Sequence, residues 1–345
     1  MNALRYNAPR QAVIVSVPTP EPNAGQVLCR SICCSISAGT EMGFYRGSAP
    51  QLNARSDSHN NFSDAPGAIT YPMQADNPGV WWMGYANVSQ VIKAGANVKK
   101  LKVGDVVFTQ RGHCDHQLLG ENDAVRLPAG TNPEHASLLA LIEIAFNGIL
   151  DAGIRLTETV VVFGLGPVGQ LVLQMAKLSG ARVMAIDALP RRLALAKASG
   201  ADLVLNFKET DVVEAINEFT GGRGADVVFE ASGNISALTT ATKACCYNGR
   251  LVVISFYQQG ADSLFLGKEF HHKRLRLISS QICGLCPDLG QAWNSSRRLQ
   301  SAVELMSQLQ IESLISSRVP FTALPDALAA IDRDPSSCNA VIVKY

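Results

Sequence analysis

Two rhythms of apolar and polar positions divide the chain. From residue 1 to about 128, apolar residues come in short runs at 12–17, 26–35, 87–93 and 105–109, broken by Gly, Pro and polar turn residues. Closely spaced runs of this kind predict β-strands, and the Gly and Pro between them predict turns, so this part reads as a small, partly open β-barrel. Pro18, Pro20 and Pro22 punctuate the first connection. From about 129 the pattern becomes an alternation. An apolar helix over 133–150 precedes strand 160–163, helix 168–179, strand 181–186, helix 190–199, strand 201–206 and helix 210–220. Strand 225–231, helix 235–246 and strands 250–256 and 275–280 follow. Six strands with helices between them predict a doubly wound parallel sheet, which makes the chain α/β. The tail from 318 to 345 is strand-like again. The expected division is a barrel domain of residues 1–128 and 311–345, and a doubly wound domain of residues 129–310.

One stretch follows neither rhythm. Residues 48–79 are polar, offer few core positions and are too long for an ordinary connection. Trp81 and Trp82 follow at once. Paired aromatics at the end of a long loop suit a pocket, so the stretch is expected to be a substrate-covering loop.

The strongest chemical signal sits where strand 160–163 meets the next helix. Gly164-Leu165-Gly166-Pro167-Val168-Gly169 has the spacing G-x-G-x-x-G, with Pro167 just before the helix and Val168 opening it. Gly164 permits a tight turn, Gly166 lets a pyrophosphate approach the backbone, and Gly169 lets helix and strand pack closely. The helix's free N–H groups then face the anion. Asp187 ends the next strand, where its carboxylate can accept hydrogen bonds from both adenosine ribose hydroxyls of NAD and repel a 2′-phosphate. Arg191 and Arg192 follow, and one of them can instead compensate such a phosphate. NAD(H) is therefore favoured, with NADP(H) open. Ser232, Ser255 and Phe256 fall at the carboxyl ends of the fourth and fifth strands, the edge where cofactors sit.

Bulk properties narrow the partners. With 345 residues and a formal charge of +1, the chain is long enough for two cores and carries no long basic run, which argues against a nucleic-acid surface. No apolar run approaches the ~20 residues needed to span a bilayer, and MNALRYNAPRQ lacks a signal-peptide core. A cytoplasmic protein acting on a small molecule is the expectation. Nine cysteines include the pairs Cys33-Cys34 and Cys245-Cys246 in apolar segments, which suits buried thiols rather than disulfides. Cys283 and Cys286 have redox or metal spacing, but no second such pair accompanies them.

With those residues in hand, the chain resembles the medium-chain dehydrogenase/reductase family over nearly its whole length. The likeness rests on Tyr45-Arg46-Gly47 after a small barrel strand, on 103–107, on the glycine turn, on 224–233 and on 249–253. The segments 35–41 and 270–281 look most like a branch that includes the bacteriochlorophyllide hydroxyethyl dehydrogenase, although the loop at 48–79 departs from that enzyme and its substrate is not carried over. The resemblance implies a GroES-like catalytic domain beside a Rossmann domain, and a homodimer.

Zinc members of the family hold their metal with a cysteine, a histidine and a further cysteine or glutamate. In register, those positions are Ala38, Tyr85 and Ala140 here, with Cys34 and Glu143 as displaced alternatives, and the four-cysteine structural-zinc loop is missing. No metal is expected, because zinc wants three N, S or O ligands. Side chains must then steady the oxygen at which hydride transfer leaves charge. The resemblance puts a relay hydroxyl at Thr40, and Tyr85, in a ligand's place, is the acid candidate. Tyr45, Glu41 and His113 are weaker candidates; His113 and His116 read as isolated structural histidines, and His271 and His272 as surface residues. The expected activity is zinc-independent interconversion of a secondary alcohol and a ketone on a polar or mid-sized metabolite. The alternatives are NADPH-dependent reduction of a C=C or C=N bond, and a catalytically idle NAD(H)-binding protein.

Overall fold

The computed structural model describes residues 1–52, 55–56, 62–63, 69–73, 83–258 and 260–345, giving backbone alone for 55, 56 and 62. Most of the polar stretch at 48–79, with Trp81 and Trp82, lies outside the described residues, and with it the expected role as a covering loop. The chain divides into two compact units, Met1–Ala140 with Ile315–Tyr345, and Leu141–Leu314.

The first unit is organised by one long strand. β1 (Asn2–Ala8) and β2 (Gln11–Ser16) form an antiparallel pair, and β3 (Gln26–Ile36) follows. α1 (Ala38–Arg46) comes next, then the two-residue partners β4 (Arg55–Ser56) and β5 (Phe62–Ser63). β6 (Asn87–Ala94), β7 (Val106–Thr109), β8 (His116–Gly120) and β9 (Val125–Arg126) lead to α2 (Pro133–Ala136). The tail adds β16 (Ile315–Pro320), α10 (Leu324–Arg333) and β17 (Ala340–Lys344). β3 pairs β6 along one edge, and β8 and β17 share the other, within a seven-stranded sheet ordered β16-β17-β3-β6-β7-β9. Its length lets it hold both chain ends in one sheet. Leu4, Tyr6, Cys34, Met42, Phe321 and Leu328 share one core beneath it.

Two expectations need correction here. Tyr45-Arg46-Gly47 does not follow a strand; it closes α1, and Gly47 takes a left-handed φ of 82° so that its N–H can reach back to the last turn. The first break falls after 140 rather than 128. The reason is that α2 packs on β3: Ser35 Oγ donates to Ser137 O at 2.6 Å, and Glu134 pairs with Arg318 and Lys344 of the tail at 2.6 Å each.

The second unit is the expected parallel sheet. α3 (Leu139–Ala152) leads into β10 (Thr159–Phe163), α4 (Pro167–Leu178), β11 (Arg182–Asp187), α5 (Pro190–Ala198), β12 (Leu203–Asn206), α6 (Val212–Thr220) and β13 (Ala225–Glu230). α7 (Ile235–Ala244), β14 (Cys245–Val253), α8 (Glu269–His272), β15 (Arg276–Ser279) and α9 (Ser295–Leu305) complete it. Strand order is β12-β11-β10-β13-β14-β15, with every pairing parallel, so the order reverses between β10 and β13. Ligands of such sheets bind at the carboxyl ends beside that reversal. Val161, Phe163, Met184, Ile186 and Val228 fill one side of the sheet. β14 begins at Cys245, a stretch whose apolar pattern predicts helix, and it ends at Val253, so Ser255 and Phe256 lie in the connection beyond the strand.

Candidate active site

In the second unit the glycine turn has the geometry a dinucleotide needs. Gly164 has φ +85°, and a Cβ there would stand 2.6 Å from the Ser232 backbone nitrogen. A Cβ on Gly169 would fall 1.8 Å from Gly164 O. Gly166 caps α4, and nothing lies within 4 Å of where its Cβ would be. Two glycines are thus required by neighbouring backbone, and the middle one by open space in front of the helix's unpaired N–H groups. Pro167 and Val168 form the first turn.

Asp187 is 6% exposed at the end of β11, and its carboxylate is already at work. Oδ2 accepts Leu165 N–H at 2.7 Å, and Oδ1 accepts Ala188 N–H at 2.7 Å and Leu189 N–H at 3.0 Å. Arg192 Nη1 stands 3.6 Å from Oδ2, and its Nε is buried with no partner. The carboxylate thus ties the glycine turn through Leu165 and its own following turn through Ala188 and Leu189, with Oδ2 also facing Arg192. At the end of β13, buried Glu230 gathers a second group: it accepts Ser232 N–H at 2.8 Å and the hydroxyls of Ser232 and Tyr257. Ser255 Oγ accepts Gly233 N–H at 2.8 Å, and Phe256 is exposed. Burial, then the Glu230 charge, push the Tyr257 phenol far above its ordinary pKa. Glu230 falls in the strand that the sequence predicts over 225–231, but nothing in the sequence signals Tyr257.

In the first unit, Thr40 and Tyr85 come together at the start of α1. Ser37 is the N-cap, yet its side chain makes no capping bond. Glu41, one turn on, accepts the Ser37 backbone N–H with Oε1 at 2.7 Å and so anchors the start of the helix. Ser37 Oγ, unused in capping, pairs with Tyr85 OH. Thr40 also hydrogen-bonds the Tyr85 phenol. Burial raises the Tyr85 pKa against the opposing pull of these two hydrogen bonds, with the Glu41 charge adding to the rise, so the phenol stays protonated. Three hydroxyls therefore converge on one point. Ser37 is the member that sequence reasoning missed, because its contact with Tyr85 spans 48 residues.

Behind this cluster lies a buried chain that corrects the reading of His113 as isolated. His113 is 0% exposed, with Nε2 2.7 Å from Glu41 Oε2 and Nδ1 2.9 Å from Cys34 Sγ; that sulfur is 3.3 Å from Tyr345 OH. Burial works against a charge on His113, but Cys34 and Glu41 outweigh it and hold its pKa well above the usual histidine value. The remaining candidates stand elsewhere. Tyr45 packs edge-on against Tyr6 and bonds Arg10 O at 3.2 Å, and His116 pairs with Asp115 at 2.8 Å. His271 and His272 are exposed on α8, their rings edge-on to each other.

Among the described residues, the positions that hold zinc in the resembling family assemble no ligand set. Ala38, Tyr85 and Ala140 offer one phenol between them. Of the displaced alternatives, Cys34 is committed to His113 and Tyr345, and Glu143 is bound by Arg298 Nε at 3.0 Å. Among the described residues no three His, Cys, Asp or Glu side chains are arranged to hold one metal ion. Cys283 and Cys286 lie on a loop whose carbonyls, Ile282 O and Gly284 O, are each held by Arg298 at 2.8 Å.

Residues 167–306 match the family described as zinc-binding dehydrogenase. The D-guloside 3-dehydrogenase of Escherichia coli K12 is 29% identical to this chain over 353 residues, covering 97% of both. Among solved structures, the 2R,3R-butanediol dehydrogenase of Bacillus subtilis superposes with a TM-score of 0.80 at 21% identity, covering 100% of this chain and 99% of that one. Galactitol-1-phosphate dehydrogenase of Escherichia coli gives 0.81 at 18% identity, covering 100% of both. No helix among the described residues is long and apolar enough to cross a membrane. The parallel sheet with its glycine turn, the mixed-sheet unit and these likenesses make the chain an oxidoreductase similar to dehydrogenases along its whole length, with the zinc-binding dehydrogenase match confined to residues 167–306.

Proposed function

We propose that the protein interconverts a secondary alcohol and a ketone on a polar metabolite with a nicotinamide dinucleotide and without zinc. The observation that carries the reading is the convergence of Ser37, Thr40 and Tyr85 at a position where the zinc-dependent relatives' pattern calls for metal ligands. The cofactor, when bound, supplies or accepts the hydride. Gly166 leaves room for its pyrophosphate in a turn that Gly164 and Gly169 make possible, and Asp187 with Arg192 would read the adenosine ribose. NAD(H) is favoured because Asp187 is fixed and buried; Arg192, with its unpartnered Nε, is the residue that lets NADP(H) in.

Tyr85 does the work of the missing Lewis acid. As a neutral phenol it donates to a substrate carbonyl oxygen, and in ketone reduction it passes its proton to the alkoxide as hydride reaches the carbon. Ser37 and Thr40 orient the phenol and can accept from, or donate to, a neighbouring hydroxyl of the substrate. That capacity suits a polyol or glycoside, and the similar Escherichia coli enzyme is a D-guloside 3-dehydrogenase.

The test is turnover of NAD+ and NADP+ with a panel of glycosides, sugar alcohols and 2,3-butanediol, before and after dialysis against a chelator. Activity should survive with zinc well below one per chain, and Tyr85→Phe should lower kcat by about 10²-fold or more, the usual worth of a general acid. Dependence on stoichiometric zinc would overturn the mechanism. Turnover of enones or imines with NADPH alone would put C=C or C=N reduction in its place, and tight NADH binding with no turnover of any substrate would favour the idle reading.

A further inference from the structure

We propose that His113 is a positioning residue for the Tyr85 hydroxyl, locking the segment that carries Tyr85 to the first turn of α1. The inference rests on the reading of Tyr85 as proton donor, but its evidence is geometric. Four separate segments meet on this one side chain and its backbone. His113 N–H donates to Met83 O at 2.7 Å, and Leu4 N–H of β1 donates to His113 O at 2.9 Å. Gly84, between Met83 and Tyr85, has φ +86° and lies flat on the imidazole: a Cβ there would be 2.7 Å from both Cδ2 and Nε2. The ring's two nitrogens then reach α1 through Glu41 and β3 through Cys34.

The consequence follows from how little freedom is left. Glu41 spends one oxygen on His113 and the other on the Ser37 N–H, so the imidazole fixes the residue that anchors Ser37, whose Oγ meets Tyr85. On its other side, the imidazole face sets how closely the 83–85 backbone approaches. Both partners of the Ser37–Tyr85 contact are thus placed by the same ring. A phenylalanine at 113 would fill the space but leave a Glu41 oxygen unpaired in the core, and buried carboxylates do not tolerate that state. Since His113 touches the donor only through Glu41 and Gly84, its effect belongs to placement and not to chemistry.

A double-mutant cycle in the full chain tests this, using His113→Gln, Tyr85→Phe and the double variant with the best alcohol of the panel above. His113→Gln should lower kcat about 10- to 100-fold, the loss expected when a reacting group is misplaced by about an ångström. KM should change by less than about 3-fold, and the substitution should cost little more once Tyr85 is Phe. Equal losses in both backgrounds, or an unchanged kcat, overturn the inference. A second readout does not depend on turnover: ultraviolet titration of tyrosine ionisation, with the Tyr85 component taken as the difference from Tyr85→Phe. His113→Gln should move that component to lower pH, because a loosened phenol regains solvent; an unmoved curve overturns the inference. Full activity of Tyr85→Phe would sink the functional reading alone, and the titration would then decide the positioning. If His113→Gln does not fold, Glu41→Gln, which keeps shape and loses the charge that holds the imidazolium, enters the same cycle with the same expectations.

Discussion

At the scale of single residues, the first unit keeps a charge pair where most cores are apolar. The His113 pKa is raised above its unfolded value, because Cys34 and Glu41 favour the imidazolium more than burial disfavours it. The sign of its pH effect follows. Protons are held more tightly in the folded state, so the contribution to stability is fully present below the unfolded value of about 6.5 and fades as pH rises through the folded value. The unfolding free energy of wild type should therefore exceed that of His113→Phe by most in mildly acidic buffer, and the gap should narrow as the pH is raised into the alkaline range. Urea titrations of both proteins across that range check it; a gap that widens with pH would show that His113 is buried neutral. Little of this was legible beforehand. Cys34, Glu41, Gly84, His113 and Tyr345 are scattered along the chain, and only β3, by pairing β6, β8 and β17, draws their segments together. The glycine turn was legible because its whole logic lies within six consecutive residues and the strands on either side.

At the scale of elements, helix starts show where the chain invests in stability and where in chemistry. Asp211 caps α6 with its own carboxylate, accepting Val213 N–H at 2.9 Å and Glu214 N–H at 3.0 Å. Asp211→Ala should cost about 1 kcal/mol of stability, as N-cap losses usually do, with no change in turnover. Ser37 holds the same position on α1 but gives its hydroxyl to Tyr85. Ser37→Ala should accordingly shift the urea midpoint less than Asp211→Ala while lowering kcat more, and the reverse order would return Ser37 to a capping role. The same contrast explains which elements the sequence disclosed. α6, with a capping Asp and a closing Gly221 in the left-handed region, announces itself at both ends. α1 does not: its nine residues include Gly39 and Gly43, and the cap that should open it is otherwise engaged. The start of β14 was hidden for another reason. The apolar pattern of α7 runs on through Cys245 and Cys246, and what ends the helix is tertiary, the close approach of Gly224 and Gly249 to the backbone there, at 2.9 Å for a Cβ at either position.

At the scale of the whole molecule, the two units differ in how they depend on chain order. Every strand of the parallel sheet comes from one continuous stretch, whereas the seven-stranded sheet needs β16 and β17 from the far end of the chain. β17 pairs residues Cys33 to Ile36 of β3, and the tail also brings Phe321, stacked at 4.6 Å on Tyr345, whose hydroxyl meets Cys34. Deleting the tail strips one edge of β3 and exposes the sulfur end of the buried chain, while the glycine turn, Asp187 and the Glu230 cluster keep every partner named above. A fragment of residues 139–314 should therefore fold and bind NADH within about tenfold of the full chain, a difference of about 1.4 kcal/mol or less. Residues 1–140 alone should stay unfolded until a peptide of residues 315–345 is added. Circular dichroism and NADH fluorescence titration of the separate pieces decide between this and the opposite arrangement, in which the parallel sheet also fails alone because its stability comes from the other unit.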